Sequence, residues 1–109
     1  MITARLYCFG YETPAQFENN ARHGWDDEDS AAVWIAAASE EAALDWGRSI
    51  AEEFVSFLFK CDGKEGYSWA GENFASWIET DPNILAHALE FPAVSVGEMP
   101  DFNILSGRA

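Results

Sequence analysis

Apolar and polar positions alternate along residues 2–11, ITARLYCFGY. Ile2, Ala4, Leu6 and Cys8 fall on one side; Thr3, Arg5, Tyr7 and Phe9 fall on the other. Period two with β-favouring residue types predicts a strand, closed by Gly10. AAVWIAAA repeats the pattern with both sides apolar, Val33, Ile35 and Ala37 against Trp34 and Ala36. That predicts a central strand covered on both faces. AVSVGEM, residues 93–99, alternates Val94 and Val96 and predicts a last strand. The glycine-rich loop KCDGKEGYSWAGENF holds a further short strand expected at Tyr67–Trp69.

Between the strands the period changes. TPAQFENNARHG carries helix signals in sequence order: Thr13 for the N-cap, Pro14 for the first helical position and Gln16 to complete a capping box. Gly24 suits the left-handed residue past the end, after Arg22 and His23 near the negative end of the dipole, so a helix is predicted over about residues 14–23. Ser39 is a second N-cap, with Glu40 and Glu41 in the first turn of a helix of about twenty residues. Its apolar stripe is Ala43, Gly47, Ile50, Phe54 and Leu58, widened by Trp46, Ala51 and Phe57. Glu41, Asp45, Arg48 and Glu52 share the opposite side. Gly47 costs about 1 kcal/mol relative to alanine mid-helix, so its place in the stripe predicts a close approach by another backbone. Phe74, Trp77 and Ile78 fit a helical turn and a half. Asp81 and Pro82 cap another short helix with Ile84, Leu85, Ala88 and Leu89 inward.

The order β-α-β-α-(β)-α-α-β predicts an α+β fold. A small three- or four-stranded sheet packs against one long amphipathic helix and two or three short helices. With 109 residues and no linker, repeat or low-complexity tract, the chain reads as one globular domain over residues 1–109.

Charge narrows the function classes. Nineteen acids face six bases, a formal net of −13. Such a surface repels a phosphate backbone and an anionic membrane, which argues against direct nucleic-acid or membrane binding. A basic partner is attracted, and its approach accelerated. Eight Phe, five Trp and three Tyr exceed what a small core needs, so one or two are expected on the surface. Cys8 and Cys61 stand far apart with no Cys-x-x-Cys pair. No apolar leader opens the chain, since Arg5 interrupts it, and no apolar run is long enough to span a membrane. A reduced, cytoplasmic protein with two free thiols is expected.

Candidate chemistry is sparse. Asp26, Asp27, Glu28 and Asp29 form a run of four acids, but an EF-hand loop needs glycine in its sixth place and an acid in its twelfth. Counting from Asp26 those places hold Ala31 and Ala37; from Asp27 they hold Ala32 and Ala38. Cys8, Cys61, His23 and His87 share no zinc-ligand spacing. GYSWAG sets Ser68 in an incomplete nucleophile elbow, with Ala70 in place of the last glycine, and the chain is too short for the sheet that motif requires. Cys61 with His87 offers no better pair. No catalytic residue, metal site or cofactor is expected.

Binding has more in its favour. Trp25 adjoins the acidic run, and aromatic anchors beside charge are typical of interfaces. The expected partner-binding residues are therefore Trp25, Asp26, Asp27, Glu28 and Asp29. In size, acidity and aromatic content the chain resembles, as a class, small bacterial proteins that neutralise basic toxins or nucleases, such as immunity proteins. The expectation is a non-enzymatic protein-binding module, an inhibitor of a basic partner. Two alternatives stay open: a DNA mimic, with acids spaced like phosphates, and a small ligand-binding domain or enzyme using Ser68 and His87.

Overall fold

The two long strands predicted from alternation form the centre of the sheet. The computed structural model describes residues 1–106. In it β1 (Thr3–Tyr11) pairs antiparallel with β2 (Asp29–Ala37), from Thr3 opposite Ala37 to Tyr11 opposite Asp29. β3 (Ser76–Glu79) adds antiparallel to the free edge of β1, and β4 (Ala93–Ser95) adds parallel to β2. The resulting mixed sheet has the order β3-β1-β2-β4. Among the described residues four α-helices connect or flank the strands: α1 (Pro14–His23), α2 (Glu40–Cys61), α3 (Pro82–Ala86) and α4 (Phe102–Leu105). A single 3-10 turn spans Ala70–Glu72. The fold is α+β, and no described helix is long and apolar enough to cross a membrane.

Alternation sends each strand's side chains to two different cores. Tyr7, Phe9, Val33 and Ile35 face α2 and meet Ile50, Phe54, Val55 and Phe59, all fully or almost fully buried. Burial of each such side chain contributes about 1.5–3 kcal/mol. Leu6, Cys8 and Ala32 face the other way, where Ala88, Leu85 and Trp34 cover them. Trp34 fixes that cover by donating its indole N–H to the Ala88 carbonyl at 2.8 Å. This second layer is thin. Leu85 and Ala88 turn inward as predicted, but Ile84 and Leu89 stay exposed, Leu89 lying beyond the end of the five-residue α3.

Three other expectations are corrected. The segment holding Trp77 and Ile78 is a strand, not a helical turn. Pairing with β1 sends these two adjacent residues to opposite faces, Ile78 across from Tyr7 and Trp77 across from Cys8. Tyr67–Trp69 is loop leading into the 3-10 turn, with no strand partner, and both rings pack on the α2 side. Trp69 is held there by an indole N–H bond of 2.8 Å to the Gly10 carbonyl. Finally, Gly47 does meet the sheet closely, but what it meets is the Tyr7 ring rather than a backbone.

The first helix is capped as its sequence predicts. Thr13 and Gln16 form the reciprocal capping box, and Gly24 closes the helix at φ 69° with its N–H bonded to the Asn20 carbonyl. That left-handed glycine turns the chain into the acidic loop.

Candidate functional site

The loop from Trp25 to Glu28 is shaped by one side chain of α1. Asn20 accepts from the Asp27 N–H at 3.0 Å and donates to the Asp27 carbonyl at 2.8 Å. Both bonds go to the main chain, so the Asp26 and Asp27 carboxylates stay exposed. Asp29, at the start of β2, accepts from Gln16 Nε2 at 3.2 Å. Glu28 lies over Gly10, where an added β-carbon would come within 3.1 Å of Glu28 Oε1. Among the described residues no Lys, Arg or His forms an ion pair with any of these four acids.

Trp25 stands apart from the other tryptophans. Trp34, Trp46, Trp69 and Trp77 each donate an indole hydrogen bond within the protein. The Trp25 indole donates none among the described residues, and the residue is 49% exposed. One face stacks on His23, with centroids 4.3 Å apart and planes 23° apart. The ring is thus held in place by the end of α1 while half of it remains available.

Behind the loop lies a cavity of about 240 Å³, lined by Trp25, Asp26, Asp27, Glu28, Glu12, Asn20, Glu72 and Phe74. Glu12 is only 9% exposed. Its carboxylate accepts from Asn20 Nδ2 at 2.9 Å and from the Tyr67 hydroxyl at 3.0 Å. Burial, and next the bond to Glu12, push the Tyr67 phenol well above its ordinary value of 10.0. A second cavity of about 580 Å³ adjoins the first through Glu72 and is lined by Phe17, Phe59, Lys64, Tyr67 and the neighbouring loop. Tyr67 lies flat on Phe59, with ring centroids 3.7 Å apart and planes 4° apart. Lys64 is held by Glu18 at 2.7 Å and by Asp62.

The structure places Trp25, Asp26, Asp27 and Glu28 on one exposed loop and Asp29 just beyond it at the start of β2, with a cavity beside the loop that the sequence did not reveal. Glu12, Asn20, Glu72 and Phe74 were missed because they reach this place from three separate segments. The one local signal was Glu12, an acid directly after a buried strand. Ser68 and His87 are not brought together. Ser68 sits between two rings of the α2-side core, whereas His87 precedes Ala88 in the opposite core, so the sheet lies between them. His87 Nδ1 instead lies 2.7 Å from the Asn83 carbonyl. Both cysteines are free thiols, Cys8 buried and Cys61 exposed. Among the described residues no three of His, Cys, Asp and Glu stand where they could share a metal ion. The arrangement offers a half-exposed tryptophan, carboxylates without a counter-charge among the described residues, and a concave surface. No protein-family model, curated protein or solved structure matches this chain.

Proposed function

We propose that the protein is a non-enzymatic binding module that captures a basic protein partner, in the manner of an inhibitor or immunity protein. The observation that carries this reading is Trp25, half-exposed and, among the described residues, without an indole hydrogen bond, stacked on His23 beside four acids that meet no counter-charge there. Rigid amphipathic aromatics next to charge are favoured as interface anchors, because they contribute area at little entropic cost. The acids contribute attraction and orientation at a distance. Five acidic residues around one cavity favour a protein partner over mimicry of nucleic acid, which calls for acids spread in long parallel rows. The test is comparative capture from the native source. Wild type and a loop-neutralised variant (D26N, D27N, E28Q, D29N) are each used as bait, and bound proteins are released by salt and identified. A basic protein retained by wild type and lost from the variant supports the reading. Identical captures with both baits would reject it.

A further inference from the structure

We propose that the two adjoining cavities form one groove for an extended, arginine-containing segment of the partner, with one guanidinium seated against Glu12. This rests on the reading of a basic protein partner and narrows it: the partner offers a flexible cationic arm rather than a rigid folded face.

Glu12 gives the first argument. A carboxylate offers about four acceptor positions, and here two neutral donors occupy one on each oxygen. Buried charges are ordinarily paired with an opposite charge, yet among the described residues no cationic side chain reaches Glu12. Glu12 lines the smaller cavity together with Trp25 and Phe74. An arginine fits those surroundings: its apolar stem packs on the rings and its planar head serves the remaining acceptor positions.

The second argument is continuity. Glu72 lines both cavities, so they are neighbours, and in the larger one Phe17 and Tyr67 present aromatic surface. Alternate side chains of an extended segment lie about 6.5–7 Å apart on one face, so neighbouring side chains can enter neighbouring cavities. The cation on the larger cavity's wall, Lys64, is already neutralised by Glu18 and Asp62. The groove therefore carries unbalanced negative charge along its length, and a cationic occupant complements it. A second copy of this chain does not, since each copy brings a net charge of −13.

The test uses the full chain, nitrogen-15 labelled, titrated with the peptide Gly-Arg-Phe-Arg-Gly amide and with the same peptide carrying neutral citrulline for both arginines. The expected result is saturable shifts with the arginine peptide at the Gly66 and Gly71 amides, the Asn20 side-chain amide and the Trp25 indole, and none with the citrulline peptide. Glu12→Gln and Glu72→Gln should each weaken binding about tenfold, as for loss of a charge-assisted bond. Because Glu12 is buried, the exposed Glu72 keeps the test open if Glu12→Gln fails to fold. Glu40→Gln, at the far end of α2, should change affinity far less. Shifts confined to Trp25–Asp29, with Gly66 and Gly71 unmoved, reject the groove while leaving the loop as a partner site. Equal weakening by Glu40→Gln and Glu72→Gln rejects it as unspecific attraction. Absence of saturable shifts also rejects it, and the capture experiment then decides the broader reading by itself.

Discussion

Gly47 of α2 sits directly over the ring of Tyr7: a β-carbon at Gly47 would lie 2.3 Å from Tyr7 Cδ1. The ring cannot retreat, because Tyr7 is fully buried between the sheet and the helix. Glycine therefore sets how closely α2 approaches β1. On propensity alone Gly47→Ala should stabilise a helix by about 1 kcal/mol. The expected outcome is the reverse, a loss of about 2 kcal/mol or more from overpacking, read by urea unfolding. In a Tyr7→Leu background the penalty of adding the methyl group should shrink, since the obstructing ring atoms are gone. A Gly47→Ala variant as stable as wild type would mean that helix and sheet lie further apart.

Three buried or half-buried groups hold their protons more tightly in the folded chain than in the unfolded one. Burial, with a smaller contribution from Glu79, pushes the Cys8 thiol from 9.0 up to about 11. Burial also raises the Tyr7 phenol, against smaller opposing effects of Ser76 and Arg48, and raises that of Tyr67. Above the ordinary values the unfolded chain releases protons that the folded chain keeps, so stability must fall as pH rises. The contribution of Cys8 is fully present below pH 9.0 and is lost as pH climbs through about 11. Urea midpoints should accordingly drop across that range. Cys8→Ala should flatten the first part of the drop, and an unchanged slope in that variant would remove Cys8 from the account.

The parts of this fold legible in sequence were those where a local pattern and the tertiary need agree. Alternation in β1 and β2, the capping box of α1 and the stripe of α2 each gave the right element and the right faces. β3 was misread because Phe74, Trp77 and Ile78 satisfy a helical spacing, and four residues are too few to show alternation. What makes them a strand is the open edge of β1, a partner some seventy residues earlier in the chain. α4 was missed for a related reason: its four residues are held by Phe102 against Phe54 and Phe57, contacts that no local pattern announces. The candidate site divides the same way. A run of acids beside a tryptophan is visible in one line of sequence, whereas the cavity behind it is assembled by folding.

Asn20 ties that site together, and its removal should loosen all of it. Asn20→Ala deletes both bonds to the Asp27 main chain and one of the two donors serving Glu12. The expected cost is about 2–3 kcal/mol, because a buried carboxylate is left under-satisfied. Amide exchange at Asp27 should accelerate, while exchange in the centre of α2 should change only with global stability. Asn20→Asp should cost more than Asn20→Ala, since it brings a second carboxylate to within hydrogen-bond distance of Glu12. If alanine and aspartate cost the same, like-charge repulsion at Glu12 is not the controlling term.

The acidic loop and its tryptophan should affect binding in different ways, and kinetics separates them. The Asp26 and Asp27 side chains support nothing inside the protein, and asparagine at position 29 still offers an oxygen to Gln16. Neutralising Asp26, Asp27, Glu28 and Asp29 to their amides should therefore leave stability equal or raise it by a few tenths of a kcal/mol, as like charges are relieved. Against the captured partner the same variant should associate more slowly and lose most of the salt dependence of its on-rate, because distant attraction is what those charges provide. Trp25→Ala keeps every charge, so its on-rate should stay near wild type. It removes the exposed ring on which a partner can pack, and dissociation should quicken by an amount equivalent to about 2 kcal/mol. Measuring both rate constants at low salt and at about 150 mM, where exposed charges further apart than about 8 Å are largely screened, gives the contrast. If instead the neutralised loop associates at the wild-type rate while Trp25→Ala still dissociates faster, the tryptophan is the binding element and the acids only keep a wet turn soluble.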